Sequence, residues 1–264
     1  LKNSSPTAII NWFDNNPPLG GLGKIKLAEA YLEQGRVSDV EKLIKEAWIN
    51  AEIRKNDLNY YRAKFKKFLT TEDHLKRADY LAWERKYWDL KRMLKYLPKD
   101  ERALYNARQI LMSNSYGVDT AISKVPLHLK KDPGLEFDRL RWRNRRGRLE
   151  SSLEVLYNNA NKTEKQMIRP DLWWEERKSI ARSLIYKKRY KTAYKISSEH
   201  SLSSGPSFAE AEWLSGWIAL SFLNSAEYAI NHFENFYNNV GYPISLARGA
   251  YWLGSAYKEL GNTD

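Results

Sequence analysis

Helical periodicity that is broken at short intervals is the feature that most constrains the fold of this chain. Apolar residues recur at three- and four-residue spacing in run after run, and turn residues separate the runs. Such runs are typical of short helices joined by short turns, and the pattern never changes to that of strands. A chain organised in this way is first to be considered as a repeat architecture.

The helices can be placed from these runs. Residues 25–32 predict a helix ended by Gly35, and residues 37–48 predict its partner in a helical hairpin. Thr70 stands three residues before Asp73, which predicts a capping box at the start of a helix that continues to Trp83. The other predicted helices cover residues 87–96, 101–112, 135–146, 149–157, 172–186, 190–198, 208–223, 226–237 and 244–260.

Several predicted helices carry apolar residues on two faces. Leu135 and Trp142 fall near one side of their helix, whereas Phe137 and Leu140 fall near another. A helix with two apolar faces contacts neighbours on both sides, which is the geometry of stacked helical hairpins. The three helices after residue 207 resemble tetratricopeptide-type (TPR) units.

We therefore expect an all-α fold, a single domain over residues 1–264. It would form a curved superhelical solenoid of stacked, irregular helix hairpins that is TPR-like toward the C-terminus.

The charge balance is strongly basic. Lysine and arginine number 44 against 32 acids, a formal net charge of +12, which favours nucleic acid, acidic lipid or an anionic cell-wall polymer as partner. The chain has no cysteine, which excludes disulfides, cysteine-based zinc sites and thiol nucleophiles. Glu210 and Glu212 interrupt the most apolar stretch, residues 209–223, so no membrane span is predicted.

Motifs for catalysis are missing from the sequence. There is no phosphate loop, dinucleotide fingerprint, nucleophile elbow or His-Glu-x-x-His motif. The four histidines, at positions 74, 128, 200 and 232, are widely separated, so we interpret them as surface or packing residues and expect neither metal nor cofactor. Glu175 and Glu176 follow Trp173 and Trp174, which allows a sugar site, but tryptophan at helical spacing is more often core.

The densest charged feature is a run of arginines with Trp142 in its midst. The candidate ligand contacts are Arg139, Arg141, Arg143, Arg145 and Arg146, followed by Arg148. On a helix, positions 139, 143 and 146 share one face, and positions 141, 145 and 148 share another. Either face could bind an anionic glycan or peptide through guanidinium groups. The alternative is a solvated face near a helix C-terminus, where the macrodipole favours cations.

Several segments together resemble a known family in order along the chain. They are residues 71–74, 77–79, 81–84, 92–94, 107–108, 140–143, 146–148, 173–177, 193–194 and 202–205, and, most specifically, 209–220, 243–248 and 251–254. These segments resemble the helical N-terminal region of Slt-type soluble lytic transglycosylases. The resemblance runs from about Thr70 to the C-terminus, with a vaguer likeness before it.

This resemblance implies a periplasmic enzyme of bacterial cell-wall turnover, in which an α-superhelix precedes a lysozyme-like catalytic domain. Family members cleave the bond between N-acetylmuramic acid and N-acetylglucosamine in peptidoglycan glycan strands and leave a 1,6-anhydro sugar. Their catalytic glutamate stands in a Glu-Ser pair followed by Gly-Leu-Met-Gln. Here Glu150-Ser151 is the one Glu-Ser pair, it lacks that companion segment, and we interpret it as coincidence.

We therefore expect a non-catalytic scaffold that lacks the C-terminal catalytic domain of the same protein, is inactive alone and needs no cofactor. A TPR-like adaptor that binds protein partners along its groove is the alternative. Nucleic-acid binding ranks last, because the positive residues are spread over the whole chain and no recognition module is evident.

Overall fold

The computed structural model of this chain describes residues 4–113 and 116–261. In these ranges the chain forms sixteen α-helices and two short 3₁₀ segments, and it contains no strand. The helices of the first half are α1 Pro6–Asn15, α2 Gly21–Glu33, α3 Val37–Asn50, α4 Lys55–Lys64, α5 Thr71–Trp83, α6 Tyr87–Met93, α7 Lys99–Leu111 and α8 Val118–Ser123. Those that follow are α9 Pro133–Arg145, α10 Leu149–Asn158, α11 Glu164–Met167, α12 Pro170–Tyr186, α13 Tyr190–Ser198, α14 Gly205–Leu223, α15 Ala226–Asn238 and α16 Pro243–Glu259.

The all-α prediction is confirmed, and the predicted helices are present with ends shifted by a few residues. Four helices were not predicted: α1, α4, α8 and α11. The last two have six and four residues, which is too short to show a period. Helix α4 buries only Leu58 and Tyr61. The spacing of Ile9, Ile10 and Phe13 in α1 is helical and could have been recognised.

The contacts divide the chain into two compact units, Leu1–Leu135 and Glu136–Asp264. In the first unit α1 packs on α2, α2 on α3, α3 on α5, α5 on α6 and α7, and α7 on α8. In the second unit each helix from α11 to α16 packs on the next, and α14 also contacts α12 and α16. Most of these contacts therefore join helices that are consecutive in the chain, and the others join a helix to the next but one.

In both units, a buried arginine donates hydrogen bonds to carbonyl groups at the C-terminus of a neighbouring helix. The last carbonyl groups of a helix lack partners inside the helix. Arg77 of α5 donates from Nη1 to the carbonyl oxygen of Trp48 and from Nη2, at 3.0 Å, to that of Ala51, at the end of α3. Arg177 of α12 donates from Nη1 to the carbonyl oxygen of Ile196 in the last turn of α13, at 2.9 Å. Each arginine thus joins two helices by satisfying groups that burial would otherwise leave unpaired.

Two local predictions are confirmed. The capping box at the start of α5 is complete: Thr70 N donates to Asp73 Oδ2 at 2.8 Å, and Asp73 N donates to Thr70 Oγ1 at 3.3 Å. The apolar residues on both predicted faces of α9, at positions 135, 137, 140 and 142, are all buried. In agreement with the sequence, none of the described helices is long and apolar enough to cross a membrane.

Candidate functional site

The first arginines of the basic run lie on α9 beside carboxylates. Arg139 forms an ion pair with Glu136 one turn earlier in the helix. Arg141 Nε lies 3.3 Å from Oε1 of Glu176 on α12. The Nδ2 group of Asn144 donates to the other oxygen of Glu176, at 2.7 Å. These two arginines are therefore engaged in ion pairs within the second unit.

Arg143 bridges α9 to α10. Its Nη1 group donates to the carbonyl oxygen of Ser151 at 2.6 Å and lies 3.3 Å from Oε2 of Glu154. Arg139, Arg141 and Arg143 thus all have carboxylate partners. The side chains of the other two candidates, at positions 145 and 146, are exposed.

The end of α9 differs from the sequence expectation. We expected Arg146 to share a helical face with positions 139 and 143, and Arg148 to share one with 141 and 145. Helix α9 ends at Arg145, and Gly147 turns the chain with a φ of +65°. The guanidinium carbons of Arg146 and Arg148 lie 4.6 and 4.8 Å from the ring centre of Trp142. The two arginines therefore make cation–π contacts with one buried indole instead of extending two helical faces.

Residues 145–148, which we call the basic turn, adjoin a cleft of about 450 Å³. This α10 cleft is lined by residues 147–151 with Lys187 and Arg189. Its charged groups are three cations, Arg148, Lys187 and Arg189, and one carboxylate, Glu150, which is paired with Arg189. The cleft is open and positively charged, so an anionic chain could bind across it.

The acids considered from the sequence do not form a catalytic pair. Trp173 and Trp174 are fully buried, which confirms their core interpretation. Glu175 faces Lys178 at 3.0 Å, whereas Glu176 faces Arg141. The two carboxylates therefore diverge around α12.

Glu150 also lacks the setting of a general acid. A glycosidase acid is a carboxyl whose surroundings are apolar enough to raise its pKa. The side chain of Glu150 is 75% exposed and forms an ion pair with Arg189. Its position agrees with our interpretation of the Glu-Ser pair as coincidence.

Two of the widely spaced histidines converge on one carboxylate, which the sequence did not predict. Glu212 of α14 is 5% exposed. Its Oε1 lies 2.9 Å from Nε2 of His200, and its Oε2 lies 2.6 Å from Nδ1 of His232. Asn235 Nδ2 donates to the same Oε2 at 3.2 Å. We call these four residues the Glu212 cluster. It joins α14 to α15 and to the segment that follows α13.

The hydrogen bonds assign donors and acceptors around Glu212. The backbone N–H of Leu202 donates to Nδ1 of His200 at 3.0 Å, so Nε2 is the ring nitrogen that donates to Glu212. Nε2 of His232 lies 3.0 Å from the hydroxyl of Tyr194, which can donate or accept. Burial raises the pKa of Glu212, but hydrogen bonds from His200 and His232 outweigh it and lower the pKa to about 2. Glu212 is therefore an ionised packing residue.

A signal for this cluster was present in the sequence. Glu212 lies in the most apolar helix of the chain, and a buried carboxylate requires partners. The sequence could not identify them, because His200 and His232 are brought to Glu212 by the packing of separate segments.

The remaining histidines fit their predicted roles. His74 is a packing residue whose Nδ1 accepts a hydrogen bond from Trp48 Nε1 at 3.2 Å, and burial, together with nearby Arg62, lowers its pKa. His128 is exposed. Among the described residues, no group of three or more histidine, aspartate or glutamate side chains is arranged to hold a metal ion.

Comparisons with protein-family models, curated proteins and solved structures found no significant match to this chain.

Proposed function

We propose that this chain is the non-catalytic superhelical scaffold domain of a peptidoglycan lytic transglycosylase that acts in the periplasm. The parent enzyme would cleave the bond between N-acetylmuramic acid and N-acetylglucosamine to leave 1,6-anhydro products. The observation that carries the proposal is the burial of residues in the segments that resemble the family. Arg77, Trp83, Trp173, Trp174 and Arg177 are all buried between helices, as residues that maintain one helical architecture must be.

The solenoid part of the proposal is supported by the order of packing. In a solenoid, each repeat contacts mainly the repeats before and after it. The helix contacts within each unit of this chain join consecutive helices or a helix and the next but one, as in α3, α5 and α7 and in α12, α14 and α16. The TPR-like character would be confined to the last three helices, α14, α15 and α16, each of which packs on the next.

The ligand surface we propose is the basic turn with the α10 cleft. The partner would be a glycan strand with its anionic peptide stems, because such a polymer offers carboxylates at intervals to exposed guanidinium and ammonium groups. Arg139, Arg141 and Arg143 would position this surface through their ion pairs, and Arg145, Arg146 and Arg148 would face the polymer.

Co-sedimentation with purified peptidoglycan sacculi tests this surface. The triple variant Arg145→Gln, Arg148→Gln and Lys187→Gln should lose at least about tenfold in affinity, because each charge-assisted contact contributes about 1.5–3 kcal/mol. A matched control, Lys124→Gln, Lys130→Gln and Lys131→Gln, removes three exposed cations from the first unit and should bind as the wild type does. Equal losses in both variants would contradict a specific surface.

An activity assay on sacculi tests the proposal that this chain is non-catalytic. The wild-type chain should release no 1,6-anhydromuropeptides from sacculi, and measurable release would refute this part of the proposal.

A TPR-like adaptor is the second candidate. It is favoured by large apolar side chains left exposed at α16, among them Tyr242, Ile244 and Tyr251. Translating the natural reading frame discriminates the two, because a Glu-Ser pair followed by Gly-Leu-Met-Gln after Asp264 supports the transglycosylase. An adaptor would have no such segment.

A further inference from the structure

A cleft of about 860 Å³ lies in the first unit, and none of its lining residues belongs to the basic turn or to the α10 cleft. Four helices contribute to it: the N-terminus of α2, the C-terminus of α3, the middle of α5, and α6 with its N-cap residue. We call it the α2 cleft. Its walls combine apolar side chains such as Leu22 and Ile53 with several charged groups.

Arg77 in this cleft is a buried cation without a carboxylate partner among the described residues. It is 2% exposed, and its two terminal nitrogens bond to backbone carbonyls, not to acids. Its Nε has no hydrogen-bond partner among the described residues. Burial lowers the pKa of Arg77 to about 10, although Asp89 counteracts the effect. The carbonyl groups at the end of α3 offset part of this charge, and the remainder favours an anion beside Arg77.

The other charged groups of the cleft leave a positive excess. Arg92 pairs with Asp89, and Lys86 Nζ lies 3.3 Å from Oε1 of Glu52. Arg92 Nε has no hydrogen-bond partner in the described part of the chain. The lining as a whole contains four cations and two carboxylates: Arg54, Arg77, Lys86, Arg92, Glu52 and Asp89.

The first residues of α2 line the same cleft. Helix α2 begins at Gly21 after the N-cap Gly20, and in the described chain no side chain caps its first turn. The first N–H groups of a helix lack internal partners and, with the helix dipole, attract anions. Gly20, Gly21 and Leu22 line the cleft, and a Cβ at Gly20 would meet no described atom within 4 Å. The backbone at Gly20 is therefore open on this side, whereas Gly21 packs closely against Ala51.

We propose that the α2 cleft binds the oxyanion group, a carboxylate or a phosphate, of a small molecule. The N–H groups of the first turn of α2 donate to the anion, and Arg77 and Arg92 supply the compensating charge. The apolar wall at Leu22 and Ile53 contacts the rest of the ligand. This site is independent of the glycan surface in the second unit, so either proposal can fail alone.

Titration of the intact chain with sodium acetate and with inorganic phosphate, at constant ionic strength, tests the proposal. Binding is followed by the backbone amide chemical shifts of Gly21 and Leu22. Gly20→Asp places a carboxylate at the N-cap, where it can bond to the first-turn N–H groups and occupy the position of the anion. The variant should fold at least as stably as the wild type and bind at least about tenfold more weakly. Gly20→Ala, which adds no acceptor, should bind within about twofold of the wild type.

A second pair of variants tests the charge. Arg92→Gln should weaken binding about tenfold or more, whereas Lys91→Gln removes an exposed cation of the same helix that does not line the cleft and should change binding by less than about twofold. Saturable shifts with acetate alone would identify a carboxylate site, and tighter binding of phosphate would identify a phosphate site. Shifts that do not saturate with either anion, or that are equal in wild type and Gly20→Asp, would overturn the proposal.

Discussion

Nδ1 of His232 lies 2.6 Å from Oε2 of Glu212, although 20 positions separate the two residues in the chain. The contact joins α14 to α15 in the interior of the second unit. With His200 on the other carboxylate oxygen, it replaces the water that Glu212 loses on burial. The Glu212 cluster should therefore govern how the second unit responds to acid.

Acid should destabilise the second unit through Glu212. The pKa of this carboxyl is lowered from 4.5 to about 2 in the folded chain, because hydrogen bonds from His200 and His232 outweigh the effect of burial. Its contribution is thus fully present above the ordinary pKa and is lost as the pH falls from about 5 to about 2. The loss should be on the order of 3 kcal/mol, measured as the free energy of urea unfolding against pH.

Glu212→Gln should flatten this part of the pH profile, since the titrating group is gone. The control Glu175→Gln removes an exposed carboxylate of α12 and should leave the profile unchanged. An unaltered slope in Glu212→Gln would show that other acids cause the loss of stability.

Replacement by alanine should change the stability in opposite directions at two helical glycines. A Cβ at Gly216 of α14 would lie 2.8–3.0 Å from the buried ring of Phe233, so Gly216→Ala should cost about 1–3 kcal/mol. A Cβ at Gly254 of α16 would meet no described atom within 4 Å, so Gly254→Ala should stabilise by about 0.5–1 kcal/mol through helix propensity. Urea unfolding of both variants provides the test. If Gly216→Ala changed the stability as Gly254→Ala does, the Phe233 ring would have to move away from the new Cβ.

Trp173 should contribute to stability and not to ligand binding. It is fully buried against Phe137, with ring centres 5.5 Å apart, so Trp173→Ala should cost about 3–5 kcal/mol in urea unfolding. Trp12, which is 56% exposed, is the control, and its replacement should cost much less. If Trp173→Phe kept the stability but lost binding to sacculi, the core interpretation of Trp173 would be wrong.

The contribution of the α5 capping box to the free energy of unfolding should be measurable by itself. Thr70→Ala removes the acceptor for Asp73 N and should lower the free energy of unfolding by about 1 kcal/mol. Thr71→Ala, at the next position, removes an exposed hydroxyl outside the Thr70–Asp73 capping box and should have little effect. A loss of equal size in both variants would indicate a general effect of threonine and not of the cap.

Local sequence was sufficient to predict most of the helices and many of their buried residues. Apolar spacing predicted both buried faces of α9, and Thr70 with Asp73 predicted the start of α5, because these features depend on residues within one or two turns of each other. The short helices α8 and α11 were not predicted, because six and four residues are too few to show a helical period.

The packing of the helices determines which charged groups form pairs. A periodic pattern placed Arg141 on a helix, but only packing of α9 near α12 brought Glu176 to 3.3 Å from it. Packing likewise brought His200 and His232 to Glu212 and placed Arg77 at the end of α3. A buried charge requires a partner, and local sequence indicates that requirement. The partner comes from a distant segment, so only the tertiary structure identifies it.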